Sequence, residues 1–214
     1  LNGYQPEGVA RLDATRRNGR RCSAADAHLK PALGRKNLTL LTGAMVRQVV
    51  VENGRATGLV YDHRGMTRAA LADKEVILSG GAINSPQLLM TSGIGPADHL
   101  ATHGINVVHD APDVGQNLQD HSSTVMQVTC REPVSIDWVA KPHRKLAAGL
   151  QWLTTKTGIA TSNIWEAGGL IRSNPGVKRP NIQYHFGPVG FSDEGNKIAL
   201  KQAFAMHIDV LRPT

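Results

Sequence analysis

The chain has 214 residues, 41% of them hydrophobic, and 24 basic against 17 acidic residues give a formal net charge of +7. This length suffices for one large domain or two small ones with cores of their own. No apolar run approaches the roughly 18 residues of a membrane-spanning helix, and the first residues lack the features of a signal peptide. We therefore expect no transmembrane segment, and a location in the cytoplasm or peripheral on the cytoplasmic membrane.

Basic residues concentrate in RRNGRR, Arg16–Arg21, which places four arginines in six positions. Such a run can bind phosphates or an acidic surface, but a solvated turn at Asn18-Gly19 is the interpretation we prefer. Aromatic residues make up only 4% of the chain and no nucleic-acid-binding motif is present, so no nucleic-acid partner is expected. Cys22 and Cys130 have neither metal-ligand spacing nor a catalytic context, so the sequence predicts no metal site.

The first half of the chain predicts one helix followed by β-structure. Ser23 is a candidate N-cap, with Asp26 three residues later as its capping-box partner. Residues 37–80 are rich in Val, Leu, Ile and Thr. Within them Asn53-Gly54 is typical of a tight hairpin turn, and His63–Gly65 predicts a second turn. We therefore expect a β-meander in this region.

The meander is expected to lead into one last strand, Glu75–Ser79, whose apolar run predicts cover on both faces. The next helix is predicted to begin at Ser85, with Pro86 at its first helical position. The glycine pair between them, Gly80-Gly81, would let another group approach the backbone, and a helix N-terminus attracts anions. On these grounds alone a ligand site and an empty strand-to-helix turn are equally good interpretations.

The pattern changes near residue 122. Beyond that point we expect a helix around residues 145–155 and an antiparallel sheet, which gives an α+β fold overall. The predicted strands are 124–129, GGLIRS at 168–173, NIQYHFGPV at 181–189 and AFAMHIDVL at 203–211.

Two strings resemble the signature region of the glucose-methanol-choline (GMC) oxidoreductases, flavoenzymes that oxidise alcohols with FAD: GAINSPQLLMTSGIG at 81–95 and VGQNLQDH at 114–121. Further runs are similar to that family in the same order: NGYQPEG at 2–8, GRRCSAADAHL at 19–29, NLTLLTGAMVRQV at 37–49 and RPNIQYHF at 179–186. EPVS at 132–135 and EAGGLIRS at 166–173 are most similar to choline-oxidising members.

The resemblance implies part of an FAD-binding domain over residues 1–121, built from the meander and one sheet strand. A partial substrate-binding domain with an antiparallel sheet and helices would span residues 122–214. The chain has no GxGxxG phosphate loop and stops before the family's catalytic-histidine segment. It is therefore expected to be an internal part of a longer enzyme.

The resemblance also implies the reaction. The intact enzyme is expected to oxidise a primary alcohol, with choline to betaine aldehyde as first choice, by hydride transfer to flavin N5, and this chain alone is expected to be inactive. Another alcohol, or a non-catalytic ligand-binding module, remains an alternative. The electron acceptor is not indicated by the sequence.

The resemblance assigns cofactor residues in two stretches. Val46 would lie against the adenine ring, or serve only the meander core. The turn after the last strand would pass close to FAD, and the NLQDH loop would lie at the junction of the two domains. The cofactor residues so implied are Val46, Ser79, Gly80, Gly81, Ala82, Asn117 and His121.

For the substrate, the resemblance points to Trp165, Glu166 and His185. A quaternary ammonium carries charge but no N–H donor, so aromatic faces and a carboxylate bind it best. Trp165 and Glu166 would fill those roles, unless Glu166 is simply exposed beside a core tryptophan. His185 could reach the substrate or bond to backbone in the core. His121 has the chemistry of a general base, but the resemblance places the catalytic base outside this chain.

Overall fold

The computed structural model describes residues 3–191 and 202–213. The chain forms two compact units, one of residues 1–34 with 120–214 and one of residues 35–119. None of the helices in the described ranges is both long enough and apolar enough to cross a membrane.

The N-terminal residues carry three short strands and one helical segment. These are β1 (Gly8–Arg11), β2 (Arg16–Arg17), β3 (Arg20–Arg21) and a π-helical turn (Ala25–Leu29) continuous with α1 (Lys30–Ala32). β2 and β3 form a hairpin with exposed arginines, and its turn residues Asn18 and Gly19 adopt φ of +50° and +66°. The predicted turn at Asn18-Gly19 is confirmed, although Gly19 itself is half-buried.

The helical segment begins as the sequence predicts. The N–H of Asp26 donates to Ser23 Oγ and the N–H of Ser23 donates to Asp26 Oδ2, both at 3.2 Å. These reciprocal bonds are a capping box, which satisfies donors that the first helical turn leaves unpaired. Lys30 and then Ser23 hydrogen-bond the Asp26 carboxylate, which lowers its pKa from 3.8 to about 2.

The unit of residues 35–119 contains the predicted meander. Its strands are β4 (Ala44–Glu52), β5 (Arg55–His63) and β6 (Met66–Leu71), paired antiparallel in that order. The two turns lie at Asn53-Gly54 and Arg64-Gly65, all four residues with positive φ. Residues 38–42 form no strand, so the β-structure expected over residues 37–80 begins only at Ala44.

The strand and helix predicted after the meander are both wrong in detail. Residues 75–79 belong to no strand, since no described strand pairs with them, and Ile77 is 75% exposed instead of covered. Helix α2 (Gly81–Thr91) begins four residues before Ser85, so Pro86 lies inside it. Pro86 has no N–H to donate to the carbonyl four residues earlier, and the helix continues past it.

α2 is followed by three further short elements and packs against the meander. A parallel pair of β7 (Ile94–Gly95) and β8 (His109–Asp110) flanks α3 (Ala97–Thr102). The Oγ of buried Ser92 accepts the Val49 N–H at 2.8 Å and donates to the Leu88 carbonyl at 2.6 Å. This serine therefore joins the end of α2 to β4.

The other unit is built on a five-stranded antiparallel sheet. Its later elements are β9 (Ser123–Thr129), α4 (Pro142–Thr155), β10 (Ala167–Ile171), β11 (Ile182–Gly187) and β12 (Ala203–Val210), with 3-10 turns at Asp137–Ala140 and Ile159–Thr161. The strand order is β1-β10-β11-β12-β9. The antiparallel sheet with helices confirms the α+β prediction.

Pairing of β1 with β10 explains why the first 34 residues belong with residues 120–214. The assignment of residues 1–121 to a cofactor domain and 122–214 to a substrate domain concerns function and stays a prediction.

Candidate functional site

A cleft of about 620 Å³ opens between β4, the run after the meander and α2. We call it the β4–α2 cleft. Val46, Ser79 and Gly80 all line it, so three of the predicted cofactor residues lie together. The sequence analysis missed the polar residues that α2 adds, Asn84, Ser85 and Gln87. Their spacing along the helix would have revealed them if the helix start had been placed at Gly81.

The lining of this cleft combines an apolar wall with neutral hydrogen-bonding groups. Leu59, Val76 and Leu78 contribute apolar surface, while the only charged lining residue is Arg47. Its guanidinium contacts the carboxylate of Asp62, which lies within the same unit, at 2.5 and 2.6 Å. The apolar wall suits a flat ring, while the charge of Arg47 is already paired with Asp62.

The N-terminus of α2 faces this cleft through Gly80. The Gly80 N–H donates to the Oγ of Ser85 at 2.9 Å. Ser85, which lies inside the helix, therefore accepts a backbone N–H at the helix start. Gly81 adopts φ of +85°, a conformation that residues with a side chain rarely adopt. A glycine at this position therefore has a structural reason that needs no ligand.

The remaining predicted cofactor residues lie outside the lining of the cleft. Gly81, Ala82 and Asn117 belong to the same unit but do not line it. Asn117 is exposed and accepts a hydrogen bond from Gln119 Nε2 at 3.3 Å. His121 belongs to the other unit, where it is exposed and its N–H donates to Asp120 Oδ1 at 2.8 Å. The cofactor role of these residues therefore stays a prediction.

In the sheet unit, Trp165 is surrounded by rings. Its ring stacks on Phe191 at 5.6 Å between centroids and lies 6.3 Å from His185 and 6.1 Å from His207. Both imidazoles contact Asp209, through His207 Nδ1 at 3.2 Å and His185 Nε2 at 3.5 Å. We call these five residues the Trp165 cluster.

Strand register accounts for the cluster. His185 of β11 lies opposite His207 of β12, and Gln183 lies opposite Asp209. Alternate residues of a strand share a face, so the two histidines and the aspartate lie on one face of the sheet. On the other side of His185, β10 places Gly168, which has no side chain.

The backbone before Trp165 is strained. Ile164 has φ of +70°, which is unusual for a β-branched residue and occurs where the surroundings enforce it. Its N–H donates to Ser162 Oγ at 2.9 Å. This bend sets the direction in which Trp165 enters the cluster.

A cleft of about 360 Å³ lies beside the cluster and is lined by Arg11, Leu12, Asp13, Asn163, Trp165, Gln183 and His185. Two of the three predicted substrate residues therefore lie together. Glu166 is exposed and does not line this cleft. Its carbonyl accepts the Leu12 N–H at 2.9 Å, which ties it to the segment after β1.

The sequence analysis missed the other three members of the cluster, Phe191, His207 and Asp209. A signal was present in AFAMHIDVL, where His and Asp are separated by one residue and so share a strand face. The described residues contain no group of three or more His, Cys, Asp or Glu side chains arranged to hold a metal ion. The contacts within the cluster are two between imidazole and carboxylate and four between rings.

Comparison with known families and proteins places the chain among flavoenzymes. A family model described as GMC oxidoreductase matches residues 1–123. Human mitochondrial choline dehydrogenase is 47% identical over 214 residues, which is 100% of this chain and 36% of that protein. The oxygen-dependent choline dehydrogenase of Rhizobium etli is 46% identical over 97% of this chain and 38% of its own length. The chain thus spans little more than a third of these relatives.

Solved structures share the fold. The pyridoxine 4-oxidase from Mesorbium loti is 31% identical, with a TM-score of 0.74 over 97% of this chain and 37% of that one. A formate oxidase from Aspergillus oryzae has a TM-score of 0.86 at 22% identity, over 97% of this chain and 41% of that one, which shows the fold alone.

Proposed function

The chain belongs to the GMC oxidoreductase family, and we propose that the protein carrying it oxidises choline to betaine aldehyde with FAD as cofactor. The observation that carries this proposal is the 47% identity to human mitochondrial choline dehydrogenase over all 214 residues. That similarity covers the five-stranded sheet, which we assign to the substrate, as well as the stretch matched by the family model. It therefore supports the choice of substrate as well as the choice of cofactor.

The β4–α2 cleft supports FAD as the ligand. Its apolar wall suits a flat ring, and the N-terminus of α2 contributes a partial positive charge beside Gly80, whose own N–H is bonded to Ser85. Val46, Ser79 and Gly80 would contact the cofactor there. FAD supplies the hydride acceptor of the reaction, at flavin N5.

The Trp165 cluster supports an alcohol that carries a quaternary ammonium. The Trp165 ring offers an aromatic face to a cation, and His185 offers a nitrogen within hydrogen-bond reach of an alcohol bound in the 360 Å³ cleft. Glu166 follows Trp165 directly and its carboxylate is exposed, so it would attract the ammonium. We expect the chain by itself to be inactive, since it spans little more than a third of these relatives.

Replacement of Glu166 tests the choline assignment. In the full-length protein, Glu166→Gln should weaken choline binding about two- to fivefold, the equivalent of ~0.5–1 kcal/mol for an exposed charge, with little effect on flavin reduction at saturation. The charge of the substrate is the same in the ground and transition states, so its partner contributes uniform binding. The measurement is an anaerobic titration of flavin reduction with choline and with 3,3-dimethylbutan-1-ol, its neutral isostere.

Glu132→Gln is the matched control, since Glu132 is an exposed glutamate of the same unit. It should leave both titrations unchanged. If Glu166→Gln discriminates between choline and the isostere as strongly as the parent does, Glu166 is not the ammonium partner.

The second candidate is a GMC oxidoreductase for a neutral alcohol. The observation that favours it is the structural similarity to pyridoxine 4-oxidase and, at 29% identity and a TM-score of 0.68, to a fungal aryl-alcohol oxidase, of which this chain covers 29%. A parent protein that reduces its flavin faster with the neutral isostere or an aryl alcohol than with choline would establish this candidate instead.

A further inference from the structure

Asp209 is a buried carboxylate whose ion-pair partners, among the residues that the structure describes, are two histidines. Its exposed fraction is 6%, and carboxylates are rarely buried unless they are paired. The other buried aspartate of the described residues, Asp137, is hydrogen-bonded by the hydroxyl of its neighbour Ser135. Asp209 is instead contacted by two imidazoles, each a third exposed.

Each oxygen of this carboxylate faces one ring nitrogen. Oδ1 lies 3.2 Å from His207 Nδ1, and Oδ2 lies 3.5 Å from His185 Nε2. At these distances a carboxylate attracts a protonated ring nitrogen and repels an unprotonated one, so the proton is favoured on the nitrogen nearer to Asp209. In the neutral rings, the opposite nitrogens are then hydrogen-bond acceptors, Nε2 in His207 and Nδ1 in His185.

The sheet and the Trp165 ring restrict how far these imidazoles can turn. The two histidines are direct cross-strand partners, with ring centroids 6.4 Å apart. Trp165 lies near both imidazole rings and also stacks on Phe191. One carboxylate and one indole therefore set both the proton positions and the ring positions.

We propose that Asp209 is a positioning residue of the substrate cleft, which fixes the tautomers of His185 and His207 so that each presents an unprotonated nitrogen away from the carboxylate. His185 lines the 360 Å³ cleft, and in this proposal its acceptor nitrogen receives the substrate hydroxyl. A second-sphere carboxylate that orients a histidine is a common device in enzymes. This role for the cleft rests on the proposed oxidation of an alcohol.

The tautomers can be measured without any turnover. In full-length protein with 15N-labelled imidazoles, at a pH where the rings are neutral, His207 should show the Nδ1–H form and His185 the Nε2–H form. Asp209→Asn should change at least one of the two, because an asparagine presents only one acceptor oxygen. Asp137→Asn is the control and should change neither. The proposal would be overturned if the parent protein showed the opposite tautomers, or if Asp209→Asn left both tautomers unchanged.

Turnover gives a second, separable readout. Asp209→Asn should lower kcat/KM about 10- to 100-fold, the usual effect of removing such a carboxylate, while flavin content stays at the parent level. The loss should be equal for choline and 3,3-dimethylbutan-1-ol, since both carry the same hydroxyl, and Asp209→Glu should restore part of it. Unchanged kcat/KM would contradict the positioning role. If the tautomers are as stated but choline is not oxidised, the proposed function fails and the tautomer assignment stands.

Discussion

Gly81 illustrates how a residue can have two reasons to be a glycine. Its φ of +85° excludes most side chains on conformational grounds, and a Cβ built there meets no atom within 4 Å. Proximity to FAD would be a separate reason. Gly104, in the same unit, allows the conformational reason to be tested apart from proximity to FAD. It also has positive φ (+67°) and open space for a Cβ.

We therefore expect Gly81→Ala and Gly104→Ala to destabilise the full-length protein similarly, by about 1–2 kcal/mol, the cost of a left-handed conformation for a residue with a side chain. Only Gly81→Ala should lower the FAD content of the purified protein. Thermal midpoints and flavin absorbance measure the two effects. Equal FAD content in the two variants would show that Gly81 serves the turn alone.

At the scale of elements, the arginine-rich hairpin is held by α4. The indole Nε1 of Trp152 donates to the Gly19 carbonyl at 2.7 Å, in the turn of the β2–β3 hairpin. Arg20 and Lys156 lie over the same ring, at 5.6 and 4.2 Å from the centroid. A side chain at Gly19 would meet the Lys156 carbonyl at 2.0 Å, so the turn fits closely against the end of the helix.

Loss of the hydrogen bond between Trp152 and Gly19 should make the β2–β3 hairpin detach from α4 more often. Trp152→Phe keeps a ring for the two cations but removes the donor, which is worth about 0.5–1.5 kcal/mol. Tryptic cleavage within Arg16–Arg21 should then become roughly 2- to 10-fold faster in limited proteolysis. Trp138→Phe is the control, since Trp138 contacts Arg144 and has no hydrogen bond to the hairpin. Equal cleavage rates in both variants would contradict this anchoring role.

Elements with local determinants were predictable from sequence. Asn53-Gly54 specifies its turn through residues that tolerate positive φ, and Ser23 with Asp26 specifies a helix start through bonds three residues apart. The strand prediction at 75–79 was wrong because a strand needs a neighbouring strand to pair with, and an apolar sequence does not reveal whether one is present. The predicted start of helix α2 was wrong because Ser85 lies within the helix, where its Oγ accepts the Gly80 N–H, instead of capping the helix from outside.

At the scale of the whole molecule, the limit of sequence reasoning is strand register. Trp165, His185 and Asp209 come from segments that only the pairing of β10, β11 and β12 brings together. The family resemblance named Trp165 and His185, but could not indicate that Asp209 contacts two imidazoles. It also grouped Glu166 with Trp165, whereas the structure leaves Glu166 exposed outside the cleft.

Anaerobic reduction of the flavin by choline is the most direct test of the central claim. Full-length protein should purify with bound FAD, and choline added without oxygen should bleach its visible absorbance, faster than 3,3-dimethylbutan-1-ol does at equal concentration. The assay needs no electron acceptor, so it does not depend on whether the protein uses oxygen. Protein without bound flavin, or flavin that choline leaves oxidised, would contradict the account.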